Sequence, residues 1–215
     1  MRIFAADTAL GACSVAVLDG DAILARRYVE MPRGHAEALA PMADAAMREA
    51  AIAFDDLDRL AVTTGPGTFT GQRVGLAFMR GLRVALKIPL IGVTTLQAMA
   101  AQACAESGLP NAAILHDARR GEVYALLAKN GTVVFGPLVA PLDEVAATIA
   151  AAGAMPLALA GTAAPSLNLS GAVLTSVMHP DALWVARLAL HAPEPADAPK
   201  PLYLRPADAK LPPRP

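Results

Sequence analysis

Short apolar runs broken by turn residues open the chain. Residues 2–6, 12–18 and 22–29 alternate or run apolar, and Asp19-Gly20-Asp21 between the last two is a hairpin signal. The pattern then changes period. From His35 to about Ala51, Leu39, Met42, Ala46 and Ala50 recur at helical spacing, with Pro41 expected to bend or shorten the first turns. Leu57 to Thr64 reads as a buried strand and Thr70 to Lys87 as a helix that stops before Pro89. Pro89–Val93 is a further strand and Thr94–Ser107 a further helix. This order, β-β-β-α-β-α-β-α, is that of an antiparallel meander feeding parallel crossovers in one mixed sheet.

The second half opens in the same way. Ala112–Asp117 and Glu122–Lys129 read as strands, and Asn130-Gly131 is a tight turn into a third at 132–136. Leu142–Ala152 reads as a helix, 157–160 and 173–177 as strands, and Asp181–His191 as a last helix. Each half begins strand–Asp–x–x–x–Gly–strand, with Asp7 to Gly11 in the first and Asp117 to Gly121 in the second. Asp and Gly are ordinary turn residues, but together with the repeated three-strand opening they favour a duplicated sheet–helix unit. The expected division is a first subdomain over 1–106, a second over 107–192 and a Pro-rich tail over 193–215. Eight of the last 23 residues are proline, so the tail is expected to lie extended on the body or hang free.

Composition narrows the function. The 215 residues are 55% hydrophobic and 17% charged with net charge −1, which excludes disorder and a large basic face for nucleic acid. Nine aromatics are too few for a base-stacking platform. Cys13 and Cys104 form no disulfide framework and read as small buried hydrophobes. Val145 to Pro180 carries no Asp, Glu, Lys or Arg, but its alanines, glycines and prolines make a poor membrane span. The N-terminal apolar run ends at Asp7, short of a signal peptide, so the expectation is a soluble, cytoplasmic protein.

Few residues are placed for chemistry. The segment Gly65-Pro66-Gly67-Thr68-Phe69-Thr70-Gly71 lies between a strand and a helix, where glycines permit close backbone approach and a helix N-terminus can hold an anion. It lacks the Gly-Lys-Ser/Thr of a Walker loop, since Gln72-Arg73 follow Gly71, and it fits the dinucleotide fingerprint poorly. A structural turn that brings the next helix close remains open beside these. Asp7 and Asp117, each at a strand end, are the carboxylates placed like metal- or phosphate-site acids, with a plain turn role as the alternative. His35, His116, His179 and His191 contain no pair four apart, so no helical metal site is encoded, and no nucleophile elbow occurs.

The helix over 70–87 has its own character. No acid occurs between Arg59 and Glu106, and Arg73, Arg80 and Lys87 share one stripe. The same helix carries Gly71, Gly75, Ala77, Gly81 and Ala85. Each interior glycine costs about 1 kcal/mol against alanine, which points to another backbone packed closely there. With the Leu39/Met42/Ala46 stripe, this suggests two helices forming an intermolecular or interdomain seam.

These segments resemble the TsaB (YeaZ) family. The resemblance is carried by Asp7-Thr8-Ala9, by His35-Ala36-Glu37 with Pro41, by Leu60 through Gly75 with its GPGTFTGQRVG core, and by Gly92-Val93-Thr94-Thr95-Leu96. Asp117 through Tyr124 and Pro201-Leu202-Tyr203-Leu204-Arg205 also match. It implies an α/β, actin-like (ASKHA) fold of two RNase H-like halves, the second abbreviated, and a part in forming threonylcarbamoyladenosine beside the tRNA anticodon. It further implies a non-catalytic partner of TsaD, the relative that carries a His-x-x-x-His metal site, with TsaE joining the assembly, a homodimer when alone and tRNA contacted only indirectly. Pairing through the first two helices maps onto His35, Leu39, Met42, Ala46, Arg73, Gly75, Met79 and Arg80. Asp7, Thr8, Gly65, Gly67 and Asp117 are the candidates for a vestigial ATP or ADP site; no catalytic residue, resident cofactor or metal is expected. The alternatives are an actin-fold ATPase or small-molecule kinase using Asp7, Asp117 and the 65–71 loop, and a glycoprotease-like peptidase, which lacks metal ligands here.

Overall fold

The computed structural model describes residues 1–205; the last ten residues of the Pro-rich tail lie outside the described residues. The strands form two five-stranded mixed sheets. In the first, β1 (Arg2–Asp7), β2 (Ala12–Asp19), β3 (Ala22–Glu30), β4 (Arg59–Thr63) and β5 (Leu90–Val93) lie in the order β3-β2-β1-β4-β5. The meander pairs antiparallel, and β1-β4-β5 pair parallel across helical crossovers.

Side-chain alternation along β1 assigns the two faces. Phe4 and Ala6 point toward α1 (His35–Ala50) and α2 (Phe69–Leu86), which bury Leu39, Ala43, Ala46, Met47, Leu76 and Met79 there. Ile3 and Ala5 point the other way and are covered by α5 (Ala182–Leu190) through Ala182, Val185, Ala186 and Ala189. Both faces are therefore apolar, as in a sheet sandwiched between helices. Pro41 does not shorten α1, which runs unbroken from His35 after Gly34 at φ 93°.

The second sheet repeats the plan. β6 (Asn111–Asp117), β7 (Glu122–Lys129), β8 (Thr132–Pro141), β9 (Leu157–Ala160) and β10 (Ala172–Leu174) lie in the order β10-β9-β6-β7-β8. α4 (Leu142–Ala151) covers one face through Val145 and Ile149, and α3 (Thr95–Ser107) covers the other through Leu96, Met99 and Ala103. Thus α3, which follows a strand of the first sheet, packs on the second, and α5, which follows the strands of the second, returns to the first. β8 runs five residues beyond the expected 132–136, and β10 ends at Leu174, three short of the expected 177. Among the described residues no helix is long and apolar enough to cross a membrane.

Candidate functional site

The parallel neighbours β1 and β4 end side by side, bringing Asp7 next to Thr63 and the turn Thr8–Gly11 next to the glycine loop. In open α/β sheets this carboxyl end is where ligands bind. Asp7 is fully buried. Its Oδ1 accepts from the Thr63 hydroxyl at 2.5 Å and from the Ala9 amide at 3.1 Å, while Oδ2 has no partner. Burial pushes the carboxyl up to about 7, against those two hydrogen bonds, and nearby Asp181 raises it further.

The glycine loop closes on the chain itself. The Thr8 hydroxyl donates to the Gly71 carbonyl at 2.7 Å, and the Thr68 amide donates to the Ala9 carbonyl at 2.8 Å. A Cβ at Gly67 would stand 2.3 Å from the Ala9 oxygen, and one at Gly71 2.2 Å from the Thr8 oxygen. At Gly75 it would meet the Thr8 hydroxyl at 2.7 Å. The Thr68 hydroxyl caps α2 by accepting from the Gly71 amide. The loop therefore serves close packing of α2 on the β1–β2 turn, and some of the donors that could face a phosphate are already engaged. Gly65 takes φ 106° and its carbonyl accepts from the Thr95 amide.

Asp7, Thr8, Gly65 and Gly67 thus meet in one cluster. Asp117 does not join it: it is exposed on the second sheet, and its Oδ1 accepts from the Arg119 amide at 2.7 Å in a local turn. Two histidines that the sequence spacing gave no reason to pair face each other nearby. The rings of His116 and His179 lie 5.5 Å apart, and Gly11 leaves room for His179, whose Cε1 would be 2.6 Å from a Cβ there. Burial, then the neighbouring His179, lower His116 to about 4. Burial also raises the Cys13 thiol to about 11, so it is no nucleophile at neutral pH. Among the described residues no group of three or more His, Cys, Asp or Glu is placed to hold a metal.

The seam residues need correction. Leu39, Ala46 and Met79 are 1%, 0% and 0% exposed and belong to this chain's own core. Gly75 is buried against the Thr8 side chain, so the close approach it signals is intramolecular. His35 is also buried, and its Nε2 donates to the Leu10 carbonyl at 3.0 Å. The Leu39/Ala46 stripe is apolar because it faces the sheet. Met42 is half-buried at the edge of that core. Arg73 lies over the Phe69 ring at 3.5 Å and donates to the Tyr203 hydroxyl, and Arg80 donates to the Pro199 carbonyl.

What α2 turns outward is a different set of its residues. Ala77, Gly81, Val84 and Ala85 are exposed at i, i+4, i+7 and i+8, which puts them on one face, and Val84 is 75% exposed. Gly81 is helical and a Cβ there would meet nothing within 4 Å. Among the described residues nothing requires it to be glycine. Gly81→Ala is therefore expected to raise stability by up to about 1 kcal/mol in urea unfolding.

Residues 29–167 match the family model for TsaD, tRNA N6-adenosine threonylcarbamoyltransferase. The chain is 39% identical over 124 residues to the tRNA threonylcarbamoyladenosine biosynthesis protein TsaB of Escherichia coli, covering 58% of this chain and 53% of that one. It aligns with the solved structure of YeaZ from Pseudomonas aeruginosa at a TM-score of 0.77 and 30% identity, over 94% of this chain and 99% of that chain. The chain belongs to the TsaB (YeaZ) family. The matched segment spans about half the length of the curated E. coli relative. The family fold is actin-like: an activator of 2-hydroxyisocaproyl-CoA dehydratase from Clostridium difficile, with bound ADPNP, aligns at a TM-score of 0.53 over 88% of this chain and 94% of that one. At 11% identity that likeness is one of fold alone.

Proposed function

We propose that this chain is the non-catalytic partner subunit of a TsaD-type transferase in the formation of threonylcarbamoyladenosine on tRNA, docking through the outer face of α2. The observation that carries the reading is Gly81 with Ala77, Val84 and Ala85: an exposed helix face kept small and apolar, at a cost in helix stability, with no cause among the described residues. Small residues let a partner helix approach closely, and α1 flanks α2 to widen the surface. The names of the E. coli relative and of the matching family support the pathway. A stable interface buries about 1,600 Å² in total, so the face would form the centre of a larger contact. The same face would serve a homodimer when TsaD is absent; TsaE would join through the complex, and tRNA would be met through TsaD.

The matched pair Gly81→Ala and Gly81→Arg tests it on a gel-filtration column with purified TsaD. The alanine variant is expected to bind within a few-fold of wild type. The arginine variant should keep the wild-type melting temperature and lose co-elution, with affinity down at least about a hundredfold, as for a central contact. Wild-type affinity in Gly81→Arg would remove this face from the interface.

The bare, buried Oδ2 of Asp7 favours a second reading, an actin-fold ATPase or kinase. Against it, Ala9 and Thr8 fill the space beside Gly67 and Gly71. Calorimetric titration with Mg·ATP that shows binding, abolished by Asp7→Asn, would carry that reading.

A further inference from the structure

The tail crosses from one sheet to the other. On the first sheet, Pro199 lies against Gly92 on β5, where a Cβ would stand 2.6 Å from the proline ring. Arg80 donates to the Pro199 carbonyl, and the Leu202 amide donates to the Thr64 carbonyl at 2.7 Å. The Tyr203 ring stacks on Phe69 with centroids 5.3 Å apart, and its hydroxyl accepts from Arg73 at 2.9 Å. Two residues on, Arg205 reaches the second sheet. Its guanidinium donates to the Ala118 carbonyl at 2.6 Å and to the Arg119 carbonyl at 3.4 Å, and it pairs with Glu122.

The turn that Arg205 grips is an unusual one. Arg119, Arg120 and Gly121 take φ of 64°, 59° and 76° in succession. Left-handed backbone at two consecutive non-glycine residues is disfavoured and persists where the surroundings fix it. The carbonyls held by Arg205 belong to the first of these residues and to the one before it. α2's two stripe arginines, Arg73 and Arg80, are likewise engaged by the tail.

We propose that Pro199–Arg205 is a clasp that ties the glycine loop and α2 of the first sheet to the β6–β7 turn of the second, so that releasing either anchor frees the other. Among the described residues, Tyr203 holds Phe69 and Arg73 at the start of α2, and Arg205 holds Ala118, Arg119 and Glu122 at the β6–β7 turn, with a single residue between them. The two anchors hold by proximity in the chain: each raises the effective concentration of the other at its site.

Hydrogen exchange on the full-length protein separates a clasp from two independent contacts. Tyr203→Ala is expected to speed exchange of the amides of residues 118–122 about tenfold, although Tyr203 does not touch them. Arg205→Ala is expected to speed the Leu202 amide similarly. Both side chains lie outside the cores, so the folded state is expected to survive either change. In urea unfolding the double variant should lose clearly less stability than the sum of the single losses. Exchange changes confined to each variant's own contacts, with additive stability losses, would overturn the clasp.

Discussion

Gly71→Ala is expected to destabilise the protein by about 3 kcal/mol or more in urea unfolding, a large effect for the addition of one methyl group. The new carbon would stand 2.2 Å from the Thr8 carbonyl oxygen and 2.5 Å from the Thr68 hydroxyl. The first of these is backbone, in a turn fixed between β1 and β2, and cannot rotate away. Relief requires α2 to lift from the sheet, breaking the Thr8–Gly71 hydrogen bond, worth about 0.5–1.5 kcal/mol, and loosening Leu76 and Met79 in the core. Gly75→Ala should cost less, because its nearest neighbour is the Thr8 hydroxyl, the end of a side chain that can turn. Gly81→Ala should have the opposite sign. Three glycines of one helix thus separate into packing and surface positions. Equal effects at Gly71 and Gly81 would mean that α2 can lift from the β1–β2 turn at little cost.

Asp7→Asn is expected to stabilise the protein relative to wild type by an amount that grows with pH. In the unfolded chain the carboxyl ionises near 3.8, whereas burial holds it protonated up to about 7 in the folded protein. Below 3.8 both states carry the proton. Between 3.8 and about 7 only the folded state keeps it, so this group's contribution to stability is lost as pH rises through that window. The span corresponds to at most about 4 kcal/mol. His116 acts in the opposite sense: its folded value of about 4 lies below the ordinary 6.5, so its contribution is present above 6.5 and lost as pH falls toward 4. The two slopes oppose each other in the wild type, and the variant exposes the Asp7 part alone. Unfolding free energies measured from about pH 4 to about pH 8 should show the difference between variant and wild type widening by roughly 3–4 kcal/mol. A constant difference would mean that Asp7 titrates as an ordinary carboxylate.

Most of the fold was legible because its elements are short and their periods clean. The hairpins at Asp19-Gly20-Asp21 and Asn130-Gly131, the helix ahead of Pro89 and the repeated Asp–x–x–x–Gly turn stand where the pattern puts them. The exchange of α3 and α5 between the sheets was not legible, since an apolar stripe says that a helix is covered but not by which sheet. The same limit misplaced the seam. Leu39 and Ala46 read as interface residues because a buried stripe and a docking stripe share one spacing, and Met79 joined them only through the pairing of the first two helices that the resemblance implies. The glycines of α2 pointed to close approach without naming the neighbour: for Gly71 and Gly75 it is Thr8, in this chain. At the candidate cleft, Asp7 was found from its strand-end position. The His116–His179 pair and the reach of Arg205 to Ala118 arise between residues 63 and 87 positions apart, with no local signal.

Whether the outer face of α2 receives a partner can be read without altering the protein, by hydroxyl-radical footprinting of the chain alone and with TsaD. Val84, at 75% exposure, is the reporter, and Val134 on β8, at 52%, is the internal reference. Oxidation of Val84 is expected to fall sharply in the complex while that of Val134 stays as it is. A complex in which Val84 is oxidised as fast as in the free chain would place the docking surface elsewhere.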